Sequence, residues 1–109
     1  MDTKTVLTEE QKKVVKKYRE HLISSGIPVE KIILFGSYAK GESKPWSDID
    51  ICVVSSKFGK DNYRETVWLK KLAVDIDPVI EAHPYSSEGL KNKFDPLAFE
   101  ILKTGKVVV

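Results

Sequence analysis

The residues of this chain that could carry out chemistry are concentrated in one stretch, residues 32–54, which reads IILFGSYAKGESKPWSDIDICVV. Gly36 and Ser37 follow an apolar run typical of a buried strand, and a glycine at such a bend lets a phosphate approach backbone N–H groups. Asp48 and Asp50 open a second strand-like run, so both side chains project from one face, roughly 7 Å apart. Two carboxylates this close repel each other unless a cation lies between them, and Mg²⁺ takes one or two carboxylates together with substrate phosphates. The pattern therefore predicts a site for a phosphate and a magnesium ion.

A second group of acidic residues lies in VDIDPVIEAHPY, residues 74–85, which we predict to be a third strand. Asp75, Asp77 and Glu81 all fall on odd positions and would share one face of that strand. Asp77 and Glu81 are roughly 13 Å apart at the rise of a strand, so only one of them can meet the aspartate pair. These residues alone leave both open as a third carboxylate. His83 is interpreted as an exposed strand histidine, with a role as proton acceptor as the alternative.

The connector between the first two strands, and the second strand itself, carry further residues of interest. Lys40 and Lys44 could neutralise phosphate charge or remain solvated loop lysines. Trp46 could stack on a nucleobase, but an aromatic side chain beside a site more often packs as a lid, and we favour the lid. Cys52 shares a face with Asp50 but lies deeper in the strand, where a thiol behaves as a small buried hydrophobe. We expect no chemistry from it.

The elements that must hold these residues follow from hydrophobic spacing and from helix and turn signals. Thr8 and Gln11 form a capping box that predicts a helix from about Glu9, and Gly26 with Pro28 ends it. The remaining predicted elements are a strand at Lys31–Phe35, a short helix at Tyr38–Lys40, a strand at Ile49–Val54, a helix at about Tyr63–Leu72, the third strand at Val74–Tyr85, a helix from Asp95–Pro96 to Gly105, and a terminal strand or ordered tail at Lys106–Val109. This order predicts an α/β (α+β) domain with a small mixed sheet flanked by helices.

Length and composition are those of one folded domain, which we expect to comprise residues 1–109. The net charge of +2 is too small to indicate nucleic acid, which is therefore not an expected partner. No stretch approaches the roughly 20 apolar residues that span a bilayer, so no membrane association is expected. With a single cysteine and no signal-peptide pattern, the chain is expected to be cytoplasmic.

The combination Gly36-Ser37, then Gly41, then Ser47-Asp48-Ile49-Asp50 resembles the signature of the DNA polymerase β-like nucleotidyltransferase superfamily. The short connector and the small size of the chain resemble the minimal, MNT-type branch of that superfamily. The similarity in pattern runs from about Glu30 to the C-terminus. The resemblance implies the polymerase β-like nucleotidyltransferase fold.

The resemblance also implies which residues bind the nucleotide. Gly36 and Ser37 would bind the triphosphate of ATP or of another nucleoside triphosphate. Lys40 and Ser47 would belong to the same nucleotide site. The implied reaction transfers a nucleoside monophosphate, AMP if the substrate is ATP, to an acceptor and releases pyrophosphate.

The metal ligands implied by the resemblance are three carboxylates. Asp48 and Asp50 would hold two Mg²⁺ ions together with an acidic residue of a neighbouring strand. The family pattern has that residue about four positions before a Tyr-Ser/Thr turn, and Tyr85-Ser86 marks such a turn here. This pattern selects Glu81, with Asp77 as the alternative.

The acceptor implied by the resemblance is a partner protein of the helical HEPN type, often a toxic ribonuclease. In that setting the chain would be the MNT-type antitoxin of a HEPN/MNT toxin–antitoxin pair and would attach AMP to its partner. The alternative function is a non-catalytic nucleotide- or partner-binding module that neutralises a helical partner by forming a complex with it. Assembly with further copies of itself or with another chain is left open.

Overall fold

The computed structural model describes residues 7–44 and 46–108, which form a mixed sheet with helices on both faces. In chain order its elements are α1 (Glu9–Ser24), β1 (Lys31–Phe35), α2 (Ser37–Lys40), β2 (Ile49–Val54), α3 (Asn62–Ile76), β3 (Ile80–Tyr85), a 3₁₀ turn (Gly89–Lys91), α4 (Pro96–Thr104) and β4 (Lys106–Val107). The predicted fold class is confirmed. Pro45 of the predicted connector and Val109 of the predicted terminal strand lie outside the described residues. Within the described ranges, each helix is too short or too polar to cross a lipid bilayer.

The sheet has the strand order β3-β2-β1-β4. β1 runs antiparallel to β2 and β4, whereas β2 and β3 are parallel. The register places Phe35, the last residue of β1, opposite Asp50, and it places Asp50 beside Glu81 of β3. The end of β1 and the starts of β2 and β3 therefore meet at one end of the sheet.

The two faces of the sheet have different coverings, because side chains alternate between the faces along each strand. On the face that we call the α1/α3 face, buried strand residues such as Ile51 and Val53 pack with α1 and α3. On the opposite face, the α4 face, Cys52 and Val54 pack against α4 through Ile101 and its neighbours. The sequence of β2 supplies both sets from alternate positions.

Hydrogen bonds define where α1 begins and attach it to α3. Its capping box is confirmed: Thr8 Oγ1 accepts from Gln11 N–H at 3.0 Å, and Gln11 Oε1 accepts from Thr8 N–H at 2.9 Å. Tyr18 is fully buried, and its hydroxyl donates to the Leu69 carbonyl of α3 at 2.8 Å. This bond ties the two long helices to each other.

The predicted boundary between the second long helix and the third strand is wrong. α3 continues to Ile76, because Leu69, Ala73 and Ile76 recur at helical spacing and pack with the core of the α1/α3 face. Pro78 then disfavours helical geometry at the residue before it, and Asp77 is extended, with φ −167° and ψ 118°. The alternation in the letters VDID resembles a strand, but the longer helical pattern decides the structure.

This correction separates the acidic residues that the sequence placed on one strand face. Asp75 lies on α3, where its carboxylate is 3.0 Å from His21 Nε2 of α1. Asp77 ends α3, and its carboxylate accepts from Val79 N–H at 3.0 Å. Glu81 alone of the three lies on β3.

Candidate active site

The bend after β1 is built around a contact between Gly36 and Asp50. Phe35 and Asp50 are paired across β1 and β2, so the chain that leaves β1 passes beside the Asp50 carboxylate. Gly36 has φ +76° and ψ −153°, a conformation that residues with a side chain rarely adopt. A Cβ at this position would also overlap the carboxylate of Asp50. Glycine is therefore required, and it brings the backbone of the bend directly against the acid.

The one-turn helix α2 holds this bend in place. Lys40 N–H donates to the carbonyl of Gly36 at 3.1 Å, which closes the turn. Tyr38 is buried, and its hydroxyl accepts a hydrogen bond from Gln11 Nε2 at 3.2 Å, so α2 is anchored to α1. Ser37 remains partly exposed, so its hydroxyl is accessible to a ligand.

Asp50 is half-buried, and the charges of three other acidic residues act on it. Burial raises the pKa of the Asp50 carboxyl, the neighbouring His83 opposes that rise, and the charges of Glu81, Asp48 and Glu100 add to it. Carboxylates whose charges act on one another in this way are harder to ionise together unless a cation lies near them. The site is therefore electrostatically suited to a bound cation.

The acidic residues around Asp50 suit an open magnesium site, in which water and substrate complete the coordination of the ion. Within residues 7–44 and 46–108, no three His, Cys, Asp or Glu side chains already converge as a group that could hold a metal ion by itself. Mg²⁺ usually needs only one or two carboxylates, and it completes its shell with water and substrate phosphates. Asp50 and Glu81 are neighbours on adjacent strands, and Asp48 adds to the same negative field. The donor set thus fits magnesium that arrives with a phosphate ligand.

Lys40 and Ser47, both expected in the nucleotide site, have partners within the chain. Lys40 Nζ lies 3.4 Å from a carboxylate oxygen of Glu100, and the two side chains are 41% and 40% exposed. Such an exposed ion pair contributes little stability, so Lys40 can exchange it for a phosphate at small cost. Ser47 Oγ accepts from Lys44 N–H at 2.8 Å and shapes the turn that leads into Asp48. Lys44 itself is exposed.

Two interpretations of neighbouring side chains are wrong. Trp46 is 78% exposed, so it does not pack as a lid. His83 is half-buried rather than exposed, and its ring meets the ring of Phe35 edge-on with centroids 5.4 Å apart. His83 lies two residues after Glu81 and acts on the charge of Asp50. Residues two positions apart share a face of a strand, and this spacing could have predicted that His83 lies near the site.

The sequence reasoning missed Glu100, which α4 brings to the site. The hydroxyl of Tyr85, at the end of β3, donates to Asp95 at 2.8 Å, and Asp95 caps the first turn of α4. This contact fixes where α4 begins, and the helix then carries Glu100 toward Asp50. No local pattern indicates this placement, because it depends on how α4 packs against the sheet.

Cys52 lies two residues beyond Asp50 on the same face. Its side chain is fully buried in the cluster beneath α4, and burial raises the pKa of the thiol to about 12. The expectation that it behaves as a small buried hydrophobe is confirmed.

Known proteins share the pattern of this chain. The nucleotidyltransferase domain family matches residues 10–104, which is most of the chain. A curated relative from Methanocaldococcus jannaschii, the candidate protein adenylyltransferase MJ1215, is 46% identical over 44 residues. The matched stretch is 40% of this chain, and it spans only 50% of the length of that relative.

Solved structures share the fold of this chain, and two of them illustrate the likeness. A candidate nucleotidyltransferase from Sulfolobus solfataricus superposes with a TM-score of 0.67 at 21% identity, over 90% of this chain and 78% of that one. A chain from the complex of the tri-AMPylated Shewanella oneidensis HEPN toxin with its MNT antitoxin gives a TM-score of 0.54 at 24% identity. That match covers 88% of this chain and 69% of the other.

Proposed function

Because this chain belongs to the nucleotidyltransferase domain family, we propose that it transfers a nucleoside monophosphate, AMP from ATP, to an acceptor hydroxyl. The observation that carries the proposal is the close approach of the Gly36 bend to the carboxylate of Asp50. This approach brings backbone N–H groups suited to bind phosphate close to carboxylates suited to bind magnesium. Nucleotidyl transfer from a triphosphate needs both a phosphate site and a metal site.

In the proposed reaction, the acceptor oxygen forms a bond to the α-phosphorus while the bond from that phosphorus to the β-phosphate oxygen breaks. Pyrophosphate leaves, and the hydroxyl proton passes to the carboxylate of Glu81 or to water. Gly36 and Ser37 hold the β- and γ-phosphates, Lys40 exchanges Glu100 for a phosphate oxygen, and Ser47 shapes the loop beside the nucleotide. Positioning and charge neutralisation supply most of the rate enhancement in such transfers.

Asp48, Asp50 and Glu81 are the residues that would hold magnesium, for which we propose two ions. Ions bound there would neutralise charge on the phosphates and would help to activate the acceptor hydroxyl. The raised pKa of Asp50, which reflects burial and the charges of its acidic neighbours, supports this assignment because a bound cation relieves both effects. Asp77, the alternative third carboxylate, ends α3 and has no place in this scheme.

The acceptor that we propose is a partner protein of the helical HEPN type, with this chain as its MNT-type antitoxin. Two likenesses support this part of the proposal. The Methanocaldococcus relative bears the name of a protein adenylyltransferase. The Shewanella HEPN toxin carries AMP groups in its complex with an MNT antitoxin.

The test is incubation with Mg²⁺, ATP labelled at the α-phosphate and the product of the neighbouring reading frame. We expect label on that protein, and we expect Asp50→Asn to reduce labelling by about 10²–10³-fold, as removal of one transition-state contact typically does. The matched control is Asp75→Asn. Asp75 is exposed and pairs with His21 on the helices of the other face, so this variant should keep its labelling activity.

Labelling that survives Asp50→Asn would contradict the assignment of the site. Stable partner binding with no label from the unsubstituted chain would favour the alternative function, a non-catalytic module that neutralises its partner by complex formation.

A further inference from the structure

β3 is a terminal strand, and its outer edge pairs with no other strand of residues 7–44 and 46–108. Hydrogen bonds to β2 show which backbone groups point inward: Ile49 N–H donates to the Val79 carbonyl at 2.9 Å, and Ser55 N–H to the Tyr85 carbonyl at 3.0 Å. Backbone groups of successive residues alternate between the two edges of a strand, so the odd-numbered residues of β3 face β2. The outward-facing residues are Ile80, Ala82 and Pro84.

Ala82 is the only one of these residues that offers a hydrogen-bond donor at the outer edge. Ile80 N–H already donates to the carbonyl of Asp77 at 3.1 Å, and Pro84 has no N–H. Ala82 presents its N–H and its carbonyl side by side on the open edge of β3, all of whose residues are described. An unpaired donor and acceptor of this kind form a template for the addition of a strand.

A groove of about 150 Å³ lies beside this edge, between α3 and β3, and we call it the α3–β3 groove. Its lining is mainly apolar and includes Val74, Pro78 and Ala82, while Lys70 adds a positive charge. Glu81 also lines it, so the groove extends to a residue of the candidate active site. Nothing in the transfer chemistry described above uses the groove.

The alternation of side chains connects the α3–β3 groove with the acids of the site. Ala82 packs with the core of the α1/α3 face, whereas Glu81 and His83 share the opposite face with Asp50. A segment paired with Ala82 would alternate in the same way. Its central side chain would enter the groove, and the residues on either side of it would face Glu81 and His83.

We propose that the acceptor enters as an extended polypeptide segment that adds a strand to the outer edge of β3. This inference rests on the proposed function and names how its acceptor reaches the site. The central residue of the segment, with an apolar or acidic side chain that suits Val74 and Lys70, anchors in the groove. An adjacent Ser, Thr or Tyr presents its hydroxyl to Glu81, and the transfer then forms and breaks the bonds given above.

A second copy of this chain is a poorer occupant of the same edge. A free peptide can donate to all three outward carbonyls of β3 and accept from Ala82. Two β3 edges paired antiparallel about Ala82 could form only the bonds between the two alanines, because Pro84 has no donor and Ile80 N–H is already bonded. The edge is therefore better suited to an acceptor peptide than to self-association.

The experiment measures binding and transfer separately with short acetylated peptides, each with one central Ser, Thr or Tyr, arrayed over many flanking sequences. Binding is measured by fluorescence anisotropy with Mg²⁺ and a non-hydrolysable ATP analogue. We expect Ala82→Pro to weaken the best binders at least about tenfold, because the outward donor is lost and the ring obstructs the edge. Pro84, which lies two residues further along the same edge, shows that β3 accommodates proline there.

A second variant tests the groove without changing β3, so misfolding caused by Ala82→Pro cannot explain a loss of binding in both. Val74→Trp should fill the α3–β3 groove and weaken the same peptides, since Val74 is 59% exposed and the change lies on the helix surface. Lys71→Trp adds the same ring to an exposed position of α3 that does not line the groove, and it should bind as the unsubstituted chain does. Amide exchange adds a direct readout, because the Ala82 N–H should exchange more slowly when a peptide is bound.

Each outcome decides the proposal. The proposal is overturned if no peptide binds, if Ala82→Pro and Val74→Trp both bind normally, or if light scattering shows a dimer that Ala82→Pro dissociates. If peptides bind the edge but none is labelled, docking stands and the transfer function fails. If peptides are labelled equally well by the edge variants, transfer stands and docking at β3 fails.

Discussion

The two faces of the sheet are built from alternate residues of the same strands, yet one is closed and the other is open at one end. On the α1/α3 face, Ile49 and Ile51 are fully buried beneath two long helices. On the α4 face, Cys52 is fully buried, but Asp50 is only half-buried at the end where β1 turns away. The α4 face is covered by the 9 residues of α4 and by Leu90 of the 3₁₀ turn, whereas the 16 residues of α1 and the 15 of α3 cover the other face. The closed face thus supplies support, and the open end of the other face is where charge is available to a ligand.

Two carboxylates show the same difference in electrostatic terms. Glu65, at the start of α3, is 7% exposed and accepts hydrogen bonds at 3.0 Å from the backbone N–H groups of Gly59, Lys60 and Asp61. Burial acts to raise the pKa of Glu65, but these bonds and the charge of Lys60 outweigh it and leave the pKa lowered. The pKa of Asp50 is raised, because burial is reinforced there by acidic neighbours. The charge of the structural carboxylate Glu65 is compensated by hydrogen bonds within the fold. The charge of Asp50 is not compensated in this way, so a bound cation would stabilise it.

The largest effect is expected when a methyl group is placed between the Gly36 bend and the Asp50 carboxylate. Gly36→Ala should reduce labelling of the partner at least about 10²-fold, because the added Cβ displaces the Asp50 carboxylate and small misplacements of catalytic groups have effects of this size. Gly26→Ala is the control: Gly26 has φ +95° and open space around it, so it carries only the backbone cost of about 1–2 kcal/mol. Urea denaturation and the labelling assay measure the two effects. Equal behaviour of the two variants would show that the contact with Asp50 is unimportant.

Truncation of adjacent residues of β2 compares the faces in terms of stability. Ile51→Ala should lower the free energy of unfolding by about 2–5 kcal/mol, because it leaves a cavity in the closed core. Cys52→Ala removes one sulfur atom from the smaller cluster beneath α4 and should cost about 1 kcal/mol. Urea unfolding curves provide both values. If Cys52→Ala were as damaging as Ile51→Ala, the α4 face would contribute more to stability than its covering indicates.

The two carboxylates should respond to pH with opposite signs. The lowered pKa of Glu65 means that its contribution to stability is complete above the ordinary value of about 4.3 and is lost as the pH falls through the lowered value. Glu65→Gln should therefore destabilise the chain at pH 7 by about 1.5–3 kcal/mol, and the difference should shrink in acid. The raised pKa of Asp50 means that its charge opposes folding above that value. Asp50→Asn should stabilise the chain at pH 7 by about 0.5 kcal/mol, an advantage that disappears below about pH 3.9.

Urea denaturation from pH 7 to pH 3 in the presence of EDTA measures both variants without interference from bound cations. Asn and Gln preserve the shape of the side chains, so the difference between the two curves reports charge. A loss of stability from Asp50→Asn at neutral pH would mean that the carboxylate is satisfied within the fold, and the distinction between the two acids would then be lost.

Much of the backbone at the open end of the sheet could be predicted from the sequence, because it depends on residues that are close together in the chain. The glycine after an apolar run, at Gly36, and the alternation of Asp48 and Asp50 with apolar residues are properties of short stretches, and they predicted the bend and the start of β2. The capping box at Thr8 and the helix start at Asp95 were predicted for the same reason.

The remaining features depend on contacts between distant residues. Asp75 appeared to belong to a strand because apolar and acidic residues alternate over positions 74–77. The helix extends that far because Ile76 packs into the core of the α1/α3 face. Glu100 reaches the site because Tyr85 fixes the start of α4. Trp46 is 78% exposed, and no local rule predicts that exposure. Sequence patterns thus predicted the backbone of the site better than its surroundings.

The smallest expected effects come from two tyrosine hydroxyls, each of which anchors a helix on one face. Tyr18 donates to the Leu69 carbonyl on the α1/α3 face, and Tyr85 donates to Asp95 at the start of α4. Replacement of either by Phe removes one hydrogen bond, so each variant should lose about 0.5–1.5 kcal/mol of unfolding free energy in urea. Only Tyr85→Phe should also reduce labelling, by a few-fold, because a looser start of α4 shifts Glu100 relative to Asp50. If Tyr18→Phe reduced labelling as much, the geometry of the acids would depend on the closed face rather than on α4, and the division of labour between the faces would not hold.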